Sequence, residues 1–158
     1  HGISQQTGLN LQQGAAFIDS YLGRYPGIRG YIEVTKRCAR EQGYVETVLG
    51  RRRYIPELNQ SNFHVRQAAE RMAINMPVQG TAADIIKIAM ANIHRCMKEK
   101  DVASRMLLQV HDELIFEVPP GEMELMKDMV AELMPAALEL AVPLKVDLKT
   151  GPTWGDLG

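Results

Sequence analysis

The sequence predicts an α+β protein, helices packed on a small antiparallel sheet. Three observations carry this. Long stretches place apolar residues at three- and four-residue spacing, and two shorter ones alternate with period two about a turn, the signatures of helices and hairpins. The 158 residues, 46% hydrophobic and 23% charged, also suit one ordinary domain with a real core. Helices with antiparallel hairpins make an α+β architecture.

Residues 1–9 are polar and give no firm assignment. Asn10 is placed to N-cap a helix carrying Ala15, Phe17, Ile18, Tyr21 and Leu22 on its apolar side. Tyr25-Pro26-Gly27 breaks it, and Pro26 opens a second helix with Ile28, Tyr31, Ile32, Thr35 and Cys38 in register, stopped by Gly43. The period then switches to a strand over 44–49, a turn at Gly50 and a return over 51–55, closed by Pro56. Residues 57–63 read as a loop. From about His64 to Lys98 runs the longest helical pattern, its stripe formed by Val65, Ala69, Met72, Met76, Ala83, Ile86, Met90, Ile93 and Met97. Pro77 and Gly80 interrupt it, so a kink is expected near Met76–Gly80. After Pro119-Pro120-Gly121 a helix is expected from Glu122 to Leu140, bent or split at Pro135. Leu144, Val146 and Leu148 then alternate as a last strand before a terminal loop.

The chain reads as organised around residues 106–118. Met106, Leu108 and Val110 mirror Leu114, Phe116 and Val118, two strands folded about Asp112. His111, Asp112 and Glu113 interrupt the apolar run at that point. Adjacent carboxylates at a tight turn repel, and a hard divalent cation would relieve the repulsion. An ordinary polar hairpin tip would read the same way.

The net charge of −1 conceals an asymmetry. Residues 1–80 hold 10 Lys and Arg against 6 Asp and Glu, and residues 81–158 hold 8 against 13. The basic residues of the first half lie between Arg24 and Arg71, and all but Lys36 are Arg, whose fork suits phosphate. A protein handling a polyanion and metal ions would show such a split; surface solubility also produces it. Cys38 and Cys96 stand alone, without a CxxC or a His cluster, so buried thiols in a reducing cytoplasm are expected rather than a disulfide or zinc framework. No apolar run approaches the roughly 20 residues that cross a bilayer, and no signal peptide is visible. The chain starts at His1 and reads like the middle of something longer.

Two further constellations bear on chemistry. Arg71, Asn75 and Gln79 are spaced by four and stack along one helix face beside the apolar stripe. Amide and guanidinium donors suit purine N3 and pyrimidine O2, the acceptors every base pair shows in the minor groove. Taken alone, a solvated face or side chains satisfying the kink is the plainer reading. Arg51, Arg52 and Arg53 concentrate three guanidiniums at a hairpin, where phosphate clamping is the better reading and a solvated turn the alternative.

These residues add up to a family. Gly50-Arg51-Arg52-Arg53-Tyr54-Ile55-Pro56, then residues 69–84 (AERMAINMPVQGTAAD), then Gln109-Val110-His111-Asp112-Glu113 closely resemble the carboxy-terminal part of family A DNA polymerases of the bacterial polymerase I type. The resemblance is collinear over essentially the whole chain, and the last two motifs together are highly specific. Gly2-Ile3-Ser4 is similar to the segment following the nucleotide-binding fingers helix. The family usually has Tyr where His1 stands, so a stacking role tied to that Tyr is not carried over.

The resemblance implies a partial palm with distal fingers helices of a right-hand polymerase: residues 1–43 as distal fingers helices, and 44–158 as a palm portion. It implies DNA-directed DNA synthesis with template–primer DNA and deoxynucleoside triphosphates as partners, in the cytoplasm at the nucleoid and not at a membrane. Asp112 matches the palm carboxylate that holds catalytic magnesium, with Glu113 as accessory carboxylate and second metal-binding candidate. His111 matches a residue near the primer terminus. Arg71, Asn75 and Gln79 match positions reaching the template–primer and nascent pair, and the Arg51–Arg53 hairpin is similar to one near the DNA backbone. The implied chemistry uses two magnesium ions, one activating the primer hydroxyl and one stabilising the triphosphate. The family's other essential Asp, in an Asp-Tyr-Ser-Gln-type strand, has no match here, nor do the lysine-bearing fingers helix, the thumb or an exonuclease domain. The two-ion site is therefore expected to be completed by the remainder of the polypeptide, and the chain alone to be inactive. The alternative is a non-catalytic nucleic-acid-binding or assembly module that keeps the palm fold; anionic groups facing a polyanion speak against it.

Overall fold

The computed structural model describes residues 10–157. Among them the expected α+β architecture is present: helices with two separate two-stranded antiparallel sheets. The chain divides into two compact units, one up to Val78 and one from Gln79 onward. The calls made on His1 and on Gly2-Ile3-Ser4 lie outside the described residues.

In the first unit, α1 (Leu11–Arg24) starts at Asn10, whose side chain accepts from the Gln13 N–H at 2.8 Å while the Gln13 side chain accepts from the Asn10 N–H at 3.0 Å. This reciprocal box satisfies two donors that a helix start leaves open. The expected apolar side of α1 remains open to water, Phe17 being 57% exposed. Helix α2 (Pro26–Gln42) has proline in its first turn and ends at Gly43, whose φ of 77° suits a residue without a Cβ. The hairpin β1 (Tyr44–Glu46) and β2 (Arg52–Tyr54) follows, and Ile55 N–H donates to the Gly43 carbonyl at 2.9 Å, tying the hairpin to the helix end. These strands are shorter than expected, because buried Thr47 organises the turn. Its backbone N–H donates to the Arg51 carbonyl, its hydroxyl accepts from the Arg51 N–H, and its carbonyl accepts from the Gly50 N–H. A 3₁₀ turn occupies Pro56–Asn59, overlapping the start of the expected loop. The core joins Ala39, Val45, Ile55, Leu58, Ala69 and Ala73. Ile55 and Leu58 are nearly inaccessible, each burial being worth about 1.5–3 kcal/mol.

Helix α3 (Phe63–Glu99) begins in the first unit and ends in the second. The Asn62 side chain accepts from the N–H groups of His64 and Val65 at 2.9 and 3.3 Å and so caps its start. The helix is continuous through Pro77 and Gly80. Its buried stripe also differs: Val65, Met72 and Ala83 are exposed, and Ala73 and Ala89 are fully buried in their stead, the small side chains admitting close approach of neighbouring elements. Cys38 and Cys96 are free thiols, half-buried rather than fully buried. No helix among the described residues is long and apolar enough to cross a membrane.

In the second unit, β3 (Arg105–Val110) pairs antiparallel with β4 (Glu113–Glu117), and α4 (Met123–Leu133) packs against them and the end of α3. The core is Ile93, Met97, Met126, Met129 and Val130, with Met106, Leu114, Phe116 and Val118 laid against it. Glu122 clamps the turn between α3 and β3. Its carboxylate accepts the N–H groups of Ala103 and Ser104, both at 2.8 Å, and the Ser104 hydroxyl at 2.5 Å. The Ser104 hydroxyl and then the Ala103 N–H hold this carboxyl below its ordinary value.

The expected split at Pro135 is present: helix α4 stops at Leu133 and gives way to a 3₁₀ turn at Pro135–Ala137, because a proline ring cannot continue the ladder, while the expected extension to Leu140 is not, residues 138–140 being non-helical. Leu144, Val146 and Leu148 form no strand. The alternation is there, with Val146 against the core, but a strand needs a neighbouring backbone to pair with, and β3 and β4 pair only with each other.

Candidate functional site

The second-unit hairpin turns differently from the sequence expectation. Val110 faces Glu113 and Gln109 faces Leu114, so the fold axis lies between His111 and Asp112 rather than at Asp112. A two-residue loop is the favoured hairpin connection, and it needs positive φ at its first position. His111 supplies it, with φ of 55°. Its carbonyl accepts the Gln109 side-chain amide at 3.0 Å, which braces the turn. A register irregularity between Met106 and Leu108 removes Leu108 from the buried side, where it was expected; it is 49% exposed.

The consequence is a rigid base under an open tip. Met106, Leu114 and Phe116 anchor the strands, while His111, Asp112 and Glu113 are all exposed. Asp112 and Glu113 line a cavity of about 610 Å³, whose other lining includes Phe116, Lys145, Lys149 and Trp154. Sequence reasoning missed these last three. The signal for the two lysines is the alternation Lys145, Asp147, Lys149, interleaved with the apolar Leu144, Val146 and Leu148. Among the described residues no group of three or more His, Cys, Asp or Glu is assembled for a metal. Asp112 and Glu113 are hard oxygen donors of the kind magnesium takes, and they supply only part of a coordination shell.

The three arginines of the first-unit hairpin are not equivalent. Arg52 Nε donates to Glu46 at 3.1 Å, and its guanidinium lies 4.5 Å from the centre of the Tyr44 ring. The bond to Glu46 raises its already high pKa. Arg52 therefore stiffens the hairpin across the Glu46–Arg52 pair; all three arginines are exposed, Arg51 at the turn and Arg53 on the face of β2 opposite Arg52.

On α3, Arg71 and Asn75 are exposed in the first unit and Gln79 in the second, while Ala69 and Ala73 beside them are buried. Glu70 is held by α2, with Lys36 at 3.4 Å and Arg40 bonded to its other oxygen. Burial would push the Glu70 carboxyl up, but the bonds from Arg40 and Lys36 outweigh it and hold the group below its ordinary value.

The family model for DNA polymerase family A matches residues 1–156. The chain belongs to DNA polymerase family A. It is 51% identical over 156 residues to DNA polymerase I of Bacillus subtilis, covering 99% of this chain and 18% of that protein. It is 49% identical over 154 residues to DNA polymerase I of Mycobacterium bovis, covering 98% and 17%. Among solved structures it is similar to the POL domain of Pol1 from M. smegmatis in complex with DNA primer-template and dNTP, with a TM-score of 0.94 and 46% identity over 99% of this chain and 28% of that one. This family A chain thus spans less than a fifth of the curated relatives named here.

Proposed function

We propose that this chain is the carboxy-terminal palm and distal-fingers portion of a polypeptide that performs template-directed DNA synthesis, with residues 1–43 as distal fingers helices and 44–158 as palm. The observation that carries the reading is the exposed Asp112–Glu113 pair on a core-anchored hairpin, within a family match that is collinear over nearly the whole chain. The partners follow from the same kinship: template–primer DNA and deoxynucleoside triphosphates, the ligands in the similar M. smegmatis structure, and the remainder of the polypeptide. The place of action is the nucleoid in the cytoplasm.

Asp112 is the metal-holding carboxylate and Glu113 its accessory. Magnesium held there, with ligands from outside this chain, would neutralise charge developing on the transferring phosphoryl group. The chain's own residues do the rest by positioning. The β3–β4 base keeps the Asp112 and Glu113 oxygens at a fixed place, and His111 stands beside them at the primer end. Arg51 and Arg53 supply forked donors to backbone phosphates, with Arg52 holding the hairpin that presents them. Arg71, Asn75 and Gln79 offer donors to the minor-groove acceptors shared by all correct pairs, a test of pair shape that leaves sequence unread. Lacking the other carboxylate strand, the isolated chain is inactive.

The test is Asp112→Asn in the complete polymerase. Single-turnover incorporation should fall by about 10³-fold or more, the several kcal/mol that a bound metal ion contributes, with primer–template affinity changed little. Near-normal incorporation by that variant refutes the assignment.

A further inference from the structure

The Tyr31 ring belongs to the apolar row of α2, yet its hydroxyl donates a 2.8 Å hydrogen bond to the backbone carbonyl of Ile74, 43 residues further along. The acceptor's position gives the bond its meaning. Pro77 has no N–H, so the carbonyl of Ala73 lacks its helical donor, and the proline ring crowds that same turn. A helix just before an internal proline is where the carbonyl ladder is least constrained from within, and Tyr31 reaches the next carbonyl of that turn. One turn earlier, Lys36 and Arg40 hold Glu70. Glu70 and Ile74 are four residues apart and share a helix face, and the residues that follow each of them are Arg71 and Asn75. The Ile74 carbonyl lies in the same planar peptide unit as the Asn75 N–H, so fixing one fixes the other.

We infer that Tyr31 is a positioning residue: its hydroxyl orients the Ile74–Asn75 peptide beside Pro77 and thereby aims the exposed Asn75 amide. The inference rests on the reading of Asn75 as a minor-groove contact. Tyr31 itself touches no substrate, and its effect passes entirely through Asn75.

The experiment compares Tyr31→Phe, Asn75→Ala and the double variant in the complete polymerase, measuring kcat and KM for single-nucleotide extension from matched and mispaired termini. Tyr31→Phe keeps the ring and removes only the hydroxyl. It should lower kcat/KM on matched termini by about 3- to 10-fold, the range of one ordinary hydrogen bond. Asn75→Ala should lower it at least as much, and the double variant should match Asn75→Ala within about two-fold, because two residues acting through one contact do not add. Wild-type kinetics for Tyr31→Phe, or losses that multiply in the double variant, overturn the inference while leaving the role of Asn75 standing. Unchanged extension by Asn75→Ala overturns the reading of Asn75, and the inference with it.

Discussion

Glu70 is the point where an electrostatic contact meets the proposed DNA-facing helix, and its replacement by Gln has a calculable effect. Its side chain is 17% exposed, against 26% for Lys36 and 48% for Arg40. Fully exposed ion pairs contribute roughly 0.2–1 kcal/mol, and stripping one partner from a fully buried pair costs about 3–5 kcal/mol. This triad lies between those limits, and Gln keeps the shape and one acceptor oxygen. The expected loss is about 1–2 kcal/mol, discounted for the water that reaches Arg40. In native-state hydrogen exchange of the complete polymerase, peptides from α2 should lose protection by about 5- to 30-fold at pH 7. The effect has a defined pH dependence. Because the folded carboxyl sits below its ordinary value of 4.5, the unfolded chain takes up the proton first as pH falls. The stabilisation is therefore complete above about pH 4.5 and disappears as pH drops through the lowered folded value, and wild type and variant should converge there. Equal protection at pH 7, or a difference that persists undiminished in acid, refutes the argument.

Two further outcomes are expected. Ile93→Ala empties a fully inaccessible core position between α3 and α4 and should destabilise the second unit by about 2–5 kcal/mol, read as lowered exchange protection in β3, β4 and α4; a loss confined to α3 would place the core elsewhere. Glu122→Gln removes the charge that draws in the Ala103 and Ser104 donors, so protection of residues 101–105 should fall while that of α2 is unchanged; no local change would mean that packing alone holds that turn.

The sequence by itself determined a great deal about this protein, because much of it is written in local chemistry. The Asn10 cap, Pro26 and Gly43 bounding α2, and Pro135 ending α4 each act within a turn of backbone, so residue type suffices to place them. The polymerase motifs were legible for the same reason, being contiguous. What the sequence could not carry was any quantity that depends on a partner distant along the chain. The pairing register shifted by one residue, and the hairpin axis by half of one, because the two-residue turn opened by His111 prevailed over the apparent mirror symmetry about Asp112. The alternating Leu144–Leu148 segment made no strand, since pairing is a property of two backbones and alternation a property of one. Arg52 gained its bond to Glu46 and its place over the Tyr44 ring only when the two strands paired. Tyr31, read as one more apolar residue of α2, acquired a polar role only when folding brought the Ile74 carbonyl to its hydroxyl. Composition and spacing set which elements form; tertiary structure decides which side chains remain available for chemistry, because availability is what is left after distant partners have been satisfied.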